Sequence, residues 1–124
     1  LVAIPTVIYI STILLSNNLS DLQEDLDVGR KTLPILMGVK NAEKLWIFNV
    51  IMLLILTFIL FVVHIYPIVV LVTVLIFFPY KSIFDFISYD KNMNTKGRTM
   101  GLIGQVGLKY HLAVIIGLLI AIIL

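Results

Sequence analysis

The segment from Asn17 to Pro34 holds the residues whose types and spacing are best suited to chemistry. Four acidic side chains fall within seven positions there, in a chain that is 60% hydrophobic and only 13% charged. Asp21 and Asp25 are one helical turn apart, so their carboxylates share a helix face and repel each other unless a cation is bound. Magnesium takes one or two carboxylates and completes its shell with water and phosphate oxygens. The pair is therefore a candidate Mg²⁺ site with room for a phosphate ligand, beside membrane sequence, where ionisable groups indicate function.

A solvated helix whose acids only balance nearby basic residues is the alternative for the same segment. Arg30 and Lys31 follow the acidic residues directly and would supply the opposite charge. Polar residues spaced by four, with leucines on the opposing face, predict one unbroken helix that continues to about Asp27 and is ended by Gly29. A competing interpretation makes Ser20 the N-cap of a new short helix.

Long apolar segments decide the fold class. The mean hydropathy is +1.11, and a soluble domain would have to expose much of that apolar surface. A helix that crosses a bilayer needs roughly 20 mostly apolar residues. This predicts spans at about 1–16, 42–64, 67–89 and 101–124, with the motif loop at 17–41. We therefore predict an all-α, polytopic transmembrane helix bundle, in which Pro79 kinks the third span.

The basic residues indicate how this bundle is oriented. Seven of the nine lie in or beside the first and third connections, at Arg30, Lys31, Lys40 and Lys44 and at Lys91, Lys96 and Arg98. The turn from His64 to Pro67 has no Lys or Arg. Successive connections alternate sides, so the positive-inside rule predicts that both charged loops are cytoplasmic. We expect an integral protein of the bacterial plasma membrane. The mixture of acids and bases argues against nucleic acid as a partner, and the absence of cysteine excludes thiolate metal sites.

The motif segment resembles the second aspartate-rich motif of the UbiA superfamily of intramembrane prenyltransferases. The likeness is closest to the menaquinone branch, the 1,4-dihydroxy-2-naphthoate prenyltransferases, and it is carried by Asn17, Asn18, Asp21, Asp25, Gly29, Arg30, Lys31, Thr32, Leu33 and Gly38. The resemblance implies that Asp21 and Asp25 are the catalytic carboxylates and bind Mg²⁺. It also implies that the diphosphate is bound by Asn17, Asn18, Arg30 and Lys31. The menaquinone branch often has Arg directly before the first Asp of the motif, whereas this chain has Ser20 before Asp21.

The resemblance implies a reaction and its partners. A magnesium-dependent enzyme would transfer a polyprenyl group from its diphosphate to an aromatic acceptor, 1,4-dihydroxy-2-naphthoate in menaquinone biosynthesis, within membrane lipid. Other acceptors known in the superfamily, 4-hydroxybenzoate or a tetrapyrrole, are the alternative. The family's first aspartate-rich motif, of the Asn-Asp-x-x-Asp type, does not occur in these 124 residues. We therefore expect 1–124 to be the C-terminal portion of a larger bundle, inactive without the upstream half of the same protein.

A non-enzymatic membrane transporter or assembly subunit is a hypothesis from a different class. It would use the acidic cluster as an ion vestibule and would need ionisable residues along a path through the membrane. The span centres offer only Asn49, Thr57 and Thr73, which argues against this class.

Several residues of the later spans have more than one interpretation. We expect Lys81 to pair with Asp85 four residues later, although Asp85 could instead face a cavity. Lys109 and His111 are expected near the cytoplasmic start of the last helix, where Lys109 would reach the interface or contact the site. Small residues in that helix predict close helix packing, namely Gly97, Gly101, Gly104 and Gly107.

Overall fold

The protein is entirely helical, which confirms the predicted all-α class. The computed structural model describes residues 1–124. The helices are α1 (Ile4–Ser20), α2 (Leu22–Asp27), α3 (Leu33–Met37), α4 (Val39–Val62), α5 (Ile68–Phe77), α6 (Tyr80–Ile87) and α7 (Lys96–Ile123), with a 3₁₀ turn at Met93–Thr95.

Three helical segments are long and apolar enough to cross a membrane. They are Val39–Val62, Ile68–Ile87 (α5 and α6 together) and Met93–Ile123, which includes α7. The fourth predicted span, 1–16, is helical in α1, and the 17 residues of α1 lie at the short end of the range for spanning helices. Large apolar side chains such as Phe84, Ile76 and Leu119 are exposed on these helices. This distribution is that of a helical membrane bundle, whose outer surface contacts lipid rather than water.

Pro79 divides the third predicted span into two helices. Phe78, just before it, has ψ 134°, because a residue that precedes proline is pushed out of the helical region. Helix α5 therefore ends at Phe77, and α6 begins at Tyr80. The predicted kink is an actual break between two helices.

The first helix is also divided, contrary to the predicted unbroken helix to Asp27. Helix α1 ends at Ser20 and α2 begins at Leu22, with Asp21 between them at φ −94° and ψ 11°. The Ser16 and Ser20 hydroxyls donate to the carbonyls of Thr12 and Ser16, 2.8 and 3.0 Å away, and such back-bonding bends helices. Because its hydroxyl is used in this way, Ser20 is not an N-cap either, so neither sequence interpretation is fully right.

Helix α7 packs against both α5 and α1, and α1 packs against α4. Gly117 lets α7 approach α5, where the Thr73 hydroxyl donates to the Ala113 carbonyl at 2.8 Å. Trp46 of α4 is fully buried, stacks on Phe86 with the ring centroids 3.8 Å apart, and donates its indole N–H to Ser16. The Trp46 contacts join the end of α1, the start of α4 and α6, and the end of α1 carries the candidate site.

Candidate functional site

Asp21 lies at the bend between α1 and α2, where its carboxylate is held from two directions. Asn17, one turn earlier, donates its amide N–H to Oδ2 at 2.9 Å. The Lys96 ammonium, at the start of α7, contacts both carboxylate oxygens at 2.7 and 2.8 Å. The Asp21 side chain is 15% exposed and the Lys96 side chain 32%. The structure thus places Asn17 in a hydrogen bond with the motif and adds a cation from a distant segment.

Asp25 has a different cation partner and a more buried position. Its side chain is 4% exposed, and Oδ1 lies 3.1 Å from the guanidinium of Arg30, which is itself 71% exposed. The helix ending explains this pairing. Gly29 adopts φ +71°, its N–H donates to the Leu26 carbonyl, and the Arg30 N–H donates to the Asp25 carbonyl at 2.8 Å. This is a Schellman motif, which confirms Gly29 as the helix stop and turns Arg30 back toward Asp25.

The remaining predicted site residues are not joined to the two carboxylates. Asn18 is half-buried and Lys31 is exposed, and neither side chain takes part in a hydrogen bond or ion pair. The Thr32 hydroxyl is buried without a hydrogen-bond partner. Arg30 balances Asp25, as the alternative of a charge-balanced solvated helix expected, but Asp21 and Asp25 are both largely removed from solvent.

Two ion pairs that the sequence did not indicate connect the charged loops. One is Lys96 with Asp21, and the other is Lys91 with Glu43, whose atoms lie 2.8 Å apart. The Lys91 side chain is only 2% exposed, and its ammonium lies 4.3 Å from the centre of the Phe86 ring. Each pair joins a lysine of the connection before α7 to an acidic residue much earlier in the sequence. The two charged connections therefore lie at the same end of the bundle, as loop parity predicted.

A cavity of about 460 Å³ lies between these two loops. Its volume is within the usual range for small-molecule sites. Six of its eight lining residues are polar or charged, and the full set comprises Ser20, Leu22, Gln23, Glu24, Lys91, Asn92, Met93 and Asn94. Neither Asp21 nor Asp25 is part of this lining, although Ser20 and Leu22 flank Asp21 directly. The open space and the candidate carboxylates are thus adjacent without coinciding.

The donor set around Asp21 and Asp25 suits Mg²⁺ in its chemistry. Two carboxylates and the Asn17 amide beside Asp21 match the few protein oxygens that Mg²⁺ takes when phosphate supplies the others. No group of three or more His, Cys, Asp or Glu side chains is arranged so that it could hold a metal ion. Each carboxylate is neutralised by a cation of the chain, and Mg²⁺ would have to replace it or share the carboxylate with it.

The structure assigns other roles to the residues singled out in the later spans. Lys81 and Asp85 form no ion pair, so that expected pair is wrong. His111 donates from Nδ1 to the Gly107 carbonyl at 2.8 Å and packs edge-on against Tyr9, which places it in the α1–α7 contact. Lys109 is exposed on α7. The predicted glycine packing is found at Gly107, against Tyr9, but no neighbour lies within 4 Å of a Cβ at Gly97, Gly101 or Gly104.

Comparison with known proteins identifies related sequences. The model of the UbiA prenyltransferase family matches residues 1–102. The 1,4-dihydroxy-2-naphthoate octaprenyltransferase of Bacillus subtilis (strain 168) is 53% identical over 45 residues, which is 36% of this chain and 14% of that protein. The matched part is thus a small share of the relative's length. No solved structure matches the chain significantly.

Proposed function

The chain belongs to the UbiA prenyltransferase family, and from this premise we propose that it transfers a polyprenyl group from its diphosphate to an aromatic acceptor, 1,4-dihydroxy-2-naphthoate in menaquinone biosynthesis. The observation that carries the acceptor is the 53% identity to the Bacillus subtilis 1,4-dihydroxy-2-naphthoate octaprenyltransferase. The apolar helices and the family mark an integral membrane protein. We further propose that its charged loops are cytoplasmic and that it works together with upstream sequence of the same protein.

The chemistry required is the separation of a diphosphate from an allylic carbon. Mg²⁺, when bound at Asp21 and Asp25, would stabilise the negative charge that develops on the leaving diphosphate. Asn17 keeps the Asp21 carboxylate oriented through its 2.9 Å hydrogen bond. Arg30, which pairs with Asp25, and Lys31, the next residue in the sequence, are exposed cations, and they would bind phosphate oxygens. The C–O bond to the diphosphate breaks, and the electron-rich aromatic ring forms a C–C bond to the electron-poor allylic carbon. The ring then becomes aromatic again by losing its carboxyl group as CO₂.

The apolar helices have a second role in this proposal. An allylic cation is quenched by water, so the reacting carbon must be held where water is excluded. The spans carry exposed apolar side chains along their length, and a polyprenyl tail can lie against such a surface. The charged loops would hold the diphosphate at the membrane interface while the tail extends into the bilayer.

The test is product formation by the full-length protein in membranes. With a polyprenyl diphosphate, 1,4-dihydroxy-2-naphthoate and Mg²⁺, we expect a prenylated product by mass spectrometry, and a chelator should abolish it. Asp21→Asn and Asp25→Asn should each lower the rate on the order of 10²-fold or more, the scale of losing a group that stabilises charge in a transition state. Asp90→Asn is the matched control, because Asp90 is an exposed acid at the same end of the bundle without an ion pair.

The outcomes separate the alternatives. Full activity in both motif variants would refute the roles of Asp21 and Asp25. A product formed only from 4-hydroxybenzoate or a tetrapyrrole would retain the family chemistry and replace the acceptor. No product from any aromatic acceptor in an inserted, folded protein would leave the transporter or assembly subunit as the better hypothesis.

A further inference from the structure

Lys96 is placed at the motif by the connection that precedes α7. The carbonyl oxygen of the Asn92 side chain accepts from the N–H groups of Asn94 and Thr95, and the Thr95 hydroxyl accepts from the Asn92 N–H. This reciprocal capping box fixes the 3₁₀ turn, and Lys96 is the first residue of α7 directly after it. The backbone position of Lys96 is therefore fixed by this turn. Only the flexible methylene chain and the ammonium of its side chain are free to move.

The ammonium of Lys96 contacts the carboxylate oxygens that a metal ion at Asp21 would use. It contacts both Asp21 oxygens at 2.7 and 2.8 Å, while Asn17 binds Oδ2 as well. A lysine ammonium has three donors, and Asp21 uses two of them. A metal ion that bound the same oxygens would repel the ammonium, so the two cations compete for Asp21. The Lys96 side chain is 32% exposed, which leaves it room to move outward.

Building on the proposed function, we propose that Lys96 is a second cation of the diphosphate site, in addition to Mg²⁺. Its ammonium exchanges one partner, Asp21, for another, the diphosphate. Before the substrate arrives, Lys96 neutralises Asp21 and keeps the motif folded without metal. When Mg²⁺ and the diphosphate bind together, the Lys96 ammonium would leave Asp21 and donate to a phosphate oxygen. The Asp21 carboxylate would then be free to bind the metal. No covalent bond changes in this step. Charge is conserved, because the ion pair between Asp21 and Lys96 is replaced by a metal–carboxylate bond and an ammonium–phosphate ion pair.

This proposal predicts opposite effects of one substitution on two affinities. In Lys96→Met, the competing cation is removed, so Mg²⁺ alone should bind about ten-fold more tightly. Binding of the diphosphate at saturating Mg²⁺ should become about ten-fold weaker, because no ammonium is left to donate to the phosphate. Both values correspond to one charge-assisted hydrogen bond. A lysine that only neutralised Asp21 would also strengthen metal binding when removed, but its removal would not weaken binding of the diphosphate.

The experiment measures equilibrium binding rather than turnover. Titration calorimetry on the detergent-solubilised full-length protein gives the Mg²⁺ affinity. An unreactive polyprenyl thiodiphosphate and inorganic diphosphate are the two anionic probes. Both should lose affinity in Lys96→Met, whereas the polyprenol without phosphate should bind unchanged. Lys96→Arg keeps the charge and should restore both affinities to within a few-fold. Lys109→Met is the control, since Lys109 is an exposed lysine of α7 without an ion pair.

The results distinguish this inference from the proposed function. If the wild-type protein binds the diphosphate with Mg²⁺ and forms product, but Lys96→Met leaves either affinity unchanged, the exchange role is overturned and the function stands. If the wild-type protein binds neither Mg²⁺ nor the anionic probes, the proposed function fails and the inference with it. Lys96→Gln, which keeps a hydrogen-bond donor without the charge, should show the same opposite shifts and serves if the Met variant does not fold.

Discussion

Gly117 is the position where a single methyl group should most clearly disturb the bundle. A Cβ built there would lie 2.6 Å from the Cα of Val70 and 2.5 Å from the hydroxyl oxygen of Thr73, both on α5. An ordinary carbon contact starts at 3.4 Å, so α5 and α7 would have to separate by roughly 0.8 Å. The obstacle on one side is backbone, which cannot rotate away as the tip of a side chain could. Gly117→Ala should therefore strain the α5–α7 contact.

The expected cost follows from three contributions. Overpacking of a close contact costs about 1–3 kcal/mol. Displacement of α5 also weakens the hydrogen bond from Thr73 to the Ala113 carbonyl, for about 1 kcal/mol more. The higher helix propensity of alanine recovers about 1 kcal/mol. We therefore expect Gly117→Ala to lower the free energy of unfolding by about 1–3 kcal/mol, well above the effect of a neutral surface change.

The assay is unfolding of the full-length protein in mixed micelles by titration with a denaturing detergent, followed by circular dichroism. Gly101→Ala on the same helix is the matched control, because no atom lies within 4 Å of a Cβ at Gly101. It should be neutral or slightly stabilising. Equal unfolding free energies for Gly117→Ala and the wild type would refute the close approach of α5 and α7. Destabilisation by Gly101→Ala would instead indicate that another segment of the full-length protein packs on that face.

Two further predictions concern the end of the bundle that carries the charged loops. Glu43→Gln should destabilise the protein more than Lys91→Met in the same unfolding assay. Glu43→Gln leaves a 2% exposed ammonium without an anion, whereas Lys91→Met leaves a carboxylate that is 30% exposed and can be hydrated. The opposite order would contradict the burial of the Lys91 side chain. Single cysteines placed at Lys31 and Asn94 should be labelled by an impermeant reagent from the same side of the membrane, and a cysteine at His64 from the other side, so any other pattern would overturn the topology and the cytoplasmic assignment of the loops.

The features that the sequence predicted correctly depend on local backbone geometry. Gly29 ends a helix because its positive φ is readily available only to glycine, and the break at Pro79 follows from the restriction that proline places on Phe78. The all-α class followed from apolar segments of membrane-spanning length. Each of these inferences uses a few neighbouring residues, so no knowledge of tertiary packing was needed.

The features that the sequence missed depend on which segments meet in space. Lys96 lies 75 positions from Asp21, and no local pattern selects it over the other lysines of the same loops. The glycine stripe of α7 shows the same limit. Of the predicted set Gly97, Gly101, Gly104 and Gly107, only Gly107 packs closely, against Tyr9. The tight contact with α5 is at Gly117, which that pattern did not include. Periodicity shows which residues share a face and does not show what that face contacts.

The bend at Asp21 lies between these two cases. The serines that bend the helix, Ser16 and Ser20, are visible in the sequence, and back-bonding to the preceding turn is a local interaction. The stripes of polar and apolar residues continue through the bend, so they do not reveal it. The backbone hydrogen bonds also continue across it, from the Asp21 N–H to the Asn17 carbonyl and from the Asp25 N–H to the Asp21 carbonyl. Asp21 itself leaves the helical backbone conformation, and the two carboxylates have different cation partners, Lys96 and Arg30. Spacing alone was insufficient to assign them one common ligand.

The charge balance of the motif has a consequence for the order of binding. Asp21 and Asp25 are each paired with a cation of the chain, Lys96 and Arg30, so the folded motif does not need a metal to offset repulsion between its acids. A metal that bound first would displace ammonium or guanidinium groups that then lacked an anion. A diphosphate that arrives together with Mg²⁺ supplies phosphate oxygens to those displaced cations in the same step. We therefore expect Mg²⁺ and the diphosphate to bind cooperatively, with each weak alone, because only together do they leave every charge of the site with a partner.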